Sequence, residues 1–166
     1  PNLYVNKTAS AIALPGSKIT YVLNYGNGSK QPAEAVGLIE ALPSADGAAL
    51  LKFLAIRTSR GEKVWFYAAG TGAAPVLDPT SDAANTAAGW KTSVGGLTGG
   101  VASLTHIGLT IGTVPAFSGP FRIEIDMELR NPATDAELVA GLSFENCATI
   151  ASSGGLADAN DDDNTS

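Results

Sequence analysis

The residue pattern points to an all-β domain, an antiparallel sandwich of short strands, on three grounds. The run 121–130 sets Phe121, Ile123, Ile125, Met127 and Leu129 in strict alternation with Arg122, Glu124, Asp126, Glu128 and Arg130. A period of two with one dry and one wet face is the signature of a strand half-buried in an antiparallel sheet. Several other stretches repeat this alternation between clear turn signals. The composition agrees: 19 Gly and 9 Pro punctuate the chain and only 16% of residues are charged, which leaves few helix-favouring charged stretches.

The elements follow in chain order. Residues 2–9 carry Leu3, Val5 and Ala9 on one face, and 17–25 turn Ile19, Tyr21, Leu23 and Tyr25 inward after Pro15-Gly16. Gly26-Asn27-Gly28 ends that strand, and 35–42 follows with Val36, Leu38 and Leu42 on its apolar side. Beyond the turn from Pro43 to Gly47, 50–57 and 62–68 read as two further strands. Residues 69–89 are dominated by small side chains, with Pro75 and Pro79 and little to bury, and read as a long surface excursion with a weak helix at 80–88. Gly95-Gly96 and Gly99-Gly100 precede a strand at 103–111 with Ile107, Leu109 and Ile111 inward. After 121–130, the last strand is 142–151, with Leu142, Phe144, Ala148 and Ile150 on its dry face. Seven or more short strands so punctuated predict an immunoglobulin-like sandwich. Its 166 residues suit a single core, with the sandwich over 1–157 and an acidic tail over 158–166.

The net charge of −6 belongs to that tail: without Asp158, Asp161, Asp162 and Asp163, 12 acidic residues face 10 basic ones. A near-neutral body without a basic stripe is a poor match for phosphate backbones, so nucleic acid is not an expected partner. No apolar run is long enough to insert in a membrane, and no signal-peptide pattern opens the chain. It starts at Pro1, which fits a processed, exported protein. The single cysteine, Cys147, forbids an internal disulfide and is expected to be a small buried apolar residue.

Several segments, taken in order, resemble the conserved repeat domain of prokaryotic cell-surface proteins known as domain of unknown function eleven. They are Asn6-Lys7-Thr8, Pro15-Gly16-Ser17-Lys18-Ile19-Thr20-Tyr21, Asn24-Tyr25-Gly26-Asn27-Gly28 and Glu40-Ala41-Leu42-Pro43. Later ones are Trp90, Gly96-Leu97-Thr98-Gly99-Gly100, Asn146-Cys147-Ala148-Thr149-Ile150 and the Asp/Asn-rich end 161–166. Glu40 stands where that family has Asp, Cys147 where it has Thr, and 50–90 is longer than its middle. The resemblance implies a scaffold or adhesin role by analogy alone.

Side-chain parity singles out one constellation. Lys7 shares the apolar face of 2–9, Glu40 that of 35–42 and Asn146 that of 142–151. Burial disfavours charge, pushing a Lys toward the free amine and a Glu toward the acid. That is the chemistry of a spontaneous isopeptide bond: Lys7 attacks the Asn146 side-chain carbonyl, Glu40 shuttles the proton, and ammonia leaves. The placement, Lys in a first strand and Asn in a last one, resembles pilin-type isopeptide domains. The competing reading has Lys7 paired with Glu40 or reaching the rim while Asn146 hydrogen-bonds a strand edge.

Other candidates are weaker. Asp158, Asn160, Asp161, Asp162 and Asp163 offer oxygen ligands for calcium between modules, without the glycine and distant glutamate of an EF-hand. Glycosylation sequons occur at Asn6, Asn27 and Asn164. Trp65, Phe66, Tyr67 and Trp90 form either a sugar platform or, more often for such residues, core. Gly70-Thr71-Gly72-Ala73-Ala74-Pro75 has Pro where a dinucleotide fingerprint has its third glycine and is a loop. His106 and Cys147 are each the only residue of their type, which leaves no zinc site and no Cys/His pair signalled by a motif.

The expectation is therefore an extracellular, cell-surface structural subunit of a layer, stalk or filament and not an enzyme. Its partners are copies of itself or adjacent surface modules, with residues 1–9 able to donate a strand. The alternatives are an adhesin or carbohydrate-binding module, or an accessory domain of a secreted hydrolase.

Overall fold

A computed structural model of the protein describes residues 2–9, 18–42, 44, 45, 48, 49, 51–70, 72–129 and 147–152. The strands among these residues are β1 (Leu3–Ala9), β2 (Lys18–Asn27), β3 (Ala33–Ala41), β4 (Ser44–Ala45), β5 (Ala48–Ala49), β6 (Lys52–Arg57), β7 (Lys63–Tyr67), β8 (His106–Val114), β9 (Ser118–Glu128) and β10 (Cys147–Ser152). One four-stranded sheet has the order β1-β2-β9-β6, the other β10-β3-β8-β7, and β4-β5 form a short separate hairpin. The pairings are antiparallel. The domain is thus the all-β, immunoglobulin-like sandwich the alternation predicted.

Parity explains the core. Ile19, Tyr21, Leu23 and Tyr25 of β2 pair with Met127, Ile125, Ile123 and Phe121 of β9, and all but the half-buried Phe121 are fully buried. Leu3 and Val5 of β1 extend that layer, while Val36, Leu38, Ile107, Leu109 and Ile150 meet it from the second sheet. The wet side of β9 is charge-compensated. Arg57 of β6 grips Asp126 through both terminal nitrogens, at 2.6 and 3.1 Å, and Thr20 donates to the same carboxylate at 2.8 Å. The bond from Arg57 holds the Asp126 carboxyl well below the usual range.

The excursion lies between β7 and β8 as expected, carries a helix within 80–88, and is anchored more firmly than its small residues suggested. Its helix α1 (Asp82–Ala88) is capped by Ser81, whose hydroxyl accepts from Ala84 N, and ends at Gly89 in the left-handed conformation with φ 102°. Asn85, fully buried, accepts from Asp78 N and donates to Asp78 O, both at 2.7 Å. This clamp presents Leu77 to the outer face of the second sheet, where it joins the buried Trp65 and Trp90. Room for both comes from Gly108, where a Cβ would lie 2.9 Å from Leu77 and 3.1 Å from Trp90. The segment is therefore a strap pinned to the sheet, and it covers part of the second sheet's outer face around Trp65. Burying Leu77 and Trp90 is worth roughly 1.5–3 kcal/mol each.

The strap's dependence on that missing side chain is testable. Gly108→Ala drives a methyl into Leu77 and Trp90, and is expected to cost about 1–3 kcal/mol in urea denaturation. Tryptophan fluorescence should shift to the red as Trp90 becomes wet.

Candidate functional site

β1 is the outer strand of one sheet and β10 the outer strand of the other, and the two pack together across one open side of the sandwich. Lys7 projects inward from β1 because it shares the parity of Leu3 and Val5; Glu40 projects inward from β3 beside Leu38. The Lys7 Nζ donates to Glu40 Oε1 at 2.6 Å, with the two side chains 6% and 0% exposed. The pair therefore bridges the two sheets within the seam. The Tyr21 ring lies with its centroid 5.6 Å from Nζ and is itself buried, walling the amine from water. At 2.6 Å the two groups share one short hydrogen bond with almost no access to water.

The third predicted member, Asn146, lies outside the described residues, one position before β10. The register sets Ala148 of that strand opposite Glu40. The structure places Lys7 against Glu40, the pairing that the competing reading expects as well, and sets beside them Tyr21, which the sequence turns inward without giving it a role at this site. Only its inward parity on the neighbouring strand could have revealed it.

The remaining candidates fall differently. Asp158, Asn160, Asp161, Asp162 and Asp163, proposed for calcium, and Asn164 lie outside the described residues. Among the described residues no group of three or more His, Cys, Asp or Glu could hold a metal ion, and no helix is long and apolar enough to cross a membrane. Asn6 is exposed on the wet side of β1. Asn27, by contrast, is 1% exposed, and its amide donates to Gln31 O at 2.7 Å and Val114 O at 3.3 Å. Its side-chain oxygen accepts from Asn2 N, Ser29 N and the Ser29 hydroxyl. In the folded domain this sequon is a turn hub with no space for an oligosaccharide.

Trp65, Phe66 and Trp90 are buried and Tyr67 is half-buried against Trp90, so these four form core and no exposed sugar platform. His106 is half-buried with Nδ1 2.8 Å from the Thr105 hydroxyl, which accepts from Ala69 N and donates to Tyr67 O. It belongs to the junction where the strap leaves β7. A further buried pair, Tyr25 OH donating to Glu62 at 2.6 Å, anchors the β6–β7 turn through the Ser59 and Arg60 amides.

No family model matches the chain, and none of the curated proteins matches it. Among solved structures it is similar to a mutant of the carbohydrate-binding module CBM3b from the cellulosomal cellobiohydrolase 9A of Clostridium thermocellum. The two share 11% identity over 92% of this chain and 94% of that one, with a TM-score of 0.46. A likeness that loose carries no argument about ligand or site.

Two outcomes follow from the electrostatics. Glu40→Ala removes the carboxylate that holds the buried Lys7 Nζ and is expected to cost about 3–5 kcal/mol in urea denaturation. Burial holds the His106 imidazole below its ordinary 6.5. The unfolded chain is then protonated first, so stability is fully present above pH 6.5, falls as the pH drops through that value, and levels once the folded imidazole is protonated too. Thermal melts from roughly pH 8 to roughly pH 5 should show this decline in the wild type and lose it in His106→Gln.

Proposed function

We propose that the chain is a structural module of an extracellular surface layer, stalk or filament, associating with copies of itself or with adjacent modules. The observation that carries this reading is the dry Lys7–Glu40 pair bridging the two sheets at the seam of the first and last strands. Burying two charges costs several kcal/mol per ion. A chain that keeps a costly pair at the closure of its fold has a use for its chemistry. A module bearing mechanical load needs its terminal strands fixed, and a single cysteine cannot supply a disulfide inside it.

In this reading the pair is the precursor of an amide cross-link to Asn146. The neutral Nζ of Lys7 attacks Cγ of the Asn146 amide, and a new C–N bond forms. Glu40 takes the proton that Nζ sheds and delivers it to Nδ2, the old C–N bond breaks, and one ammonia departs. Carbon oxidation states do not change, so no oxidant is needed. Tyr21 keeps water out, which favours the free amine over the ammonium.

Intact mass under denaturing conditions tests this. The expected value is lower than the sequence by one ammonia, and Lys7→Arg and Glu40→Gln should each restore the full sequence mass. A wild-type mass equal to that of the unmodified chain would remove the cross-link. Electron microscopy of native material should show fibres or lattices, and dispersed single particles at high concentration would remove the assembly role.

A further inference from the structure

The turn between β2 and β3 holds a reactive pair of residues in an unreactive pose. Gly28 follows Asn27, and glycine has no Cβ to shield its backbone nitrogen. In an unfolded chain that nitrogen attacks the side-chain amide one residue back, so an Asn-Gly step is a natural place for spontaneous loss of ammonia. Here the attack is barred twice. The Gly28 N–H is donated to Asn2 O at 2.8 Å, and the fully buried Asn27 side chain is fixed at both ends of its amide. Its oxygen accepts from Asn2 N and Ser29 N, each at 3.1 Å, and from the Ser29 hydroxyl at 3.0 Å, while its nitrogen donates to Gln31 O and Val114 O.

One neighbour bears on both residues. Asn2 accepts from Gly28 N, donates to Asn27 Oδ1, and lays its side chain so close to Gly28 that a Cβ there would meet its Nδ2 at 3.3 Å. It also stands where the fold opens most easily, at the start of the outer strand β1. Leu3 is the first fully buried side chain of that strand, so Asn2 can lift away without opening the core.

We infer that Asn27-Gly28 is a latent site of succinimide formation, that Asn2 is its guard, and that lifting the start of β1 switches it on. With Asn2 gone, Gly28 N gives up its proton and bonds to Asn27 Cγ, the Cγ–Nδ2 bond breaks, and the departing nitrogen takes the proton and leaves as ammonia. Water then opens the ring at either carbonyl and leaves an aspartate or an isoaspartate at position 27, with no oxidant or reductant involved. The product does not fit the native turn. Where the amide donated to Gln31 O and Val114 O, a carboxylate now faces two carbonyl oxygens. Each copy whose edge has opened therefore keeps a permanent mark. The guarded site stands on this geometry alone; that mechanical load opens it rests on the module reading above, in which residues 2–6 lie outside the loop closed from Lys7 to Asn146.

The test follows conversion at position 27 by peptide mapping of the full-length protein held at mildly alkaline pH. The folded wild type should convert far more slowly than the same chain in urea. Deleting residues 1 and 2 should speed conversion in native buffer about tenfold, and Asn2→Pro, which removes only the N–H donor, should give a smaller rise. Gly108→Ala destabilises a remote part of the fold and should leave the rate unchanged; a rise equal to that of the deletion would overturn the guard, because global unfolding would then be the route. A native rate as fast as that in urea, or one unmoved by the deletion, would overturn it as well. The succinimide lacks the same one ammonia as the proposed cross-link, but hydroxylamine cuts the chain at the succinimide and leaves an amide between Lys7 and Asn146 whole. Faster conversion in the deletion variant, with no cross-link in the wild type, would uphold the guard and remove the load reading.

Discussion

Two opposite charges that cannot reach water must reach each other, and Lys7 and Glu40 do so at one open side of this sandwich, between the edge strands β1 and β10. Each would be costly to bury alone, so the two strands that carry them must arrive in a fixed relation for the fold to close. The buried Leu3 and Val5 already fix the register of β1, and the 2.6 Å contact adds a polar point of attachment between that strand and the second sheet.

Strand direction sets where this happens. Leu3 pairs with Asn27 and Ser152 with Val36, on either side of the turn that joins β2 to β3. The first strand therefore begins, and the last strand ends, at the same end of the sandwich. Lys7 and Glu40 lie further along, toward the other end. The end where β1 begins is organised by Asn27, whose side chain makes five hydrogen bonds to four residues, and by the adjoining turn at Phe117. The buried pair and this turn thus occupy separate parts of one frame.

Much of this was legible from period two alone. The alternation at 121–130 located β9 and assigned its faces, and the same parity turned Lys7 and Glu40 inward before any coordinates did so. What parity could not show was contact between distant segments. The 69–89 stretch reads as having little to bury because its anchor, Leu77, is a large side chain among small ones, and the groove receiving it is made by residues that lack side chains, Gly37 and Gly108. A glycine in a strand signals a close approach without saying of what. Asn27 looked like an exposed turn sequon, yet a turn residue whose amide satisfies several backbone groups is drawn inward by them.

The account stands or falls on the seam. Proteolysis of the native protein followed by tandem mass spectrometry measures it most directly. The result predicted here is a branched peptide in which the segment bearing Lys7 is joined to the segment bearing Asn146. Recovery of both segments as separate linear peptides of unmodified mass would contradict it.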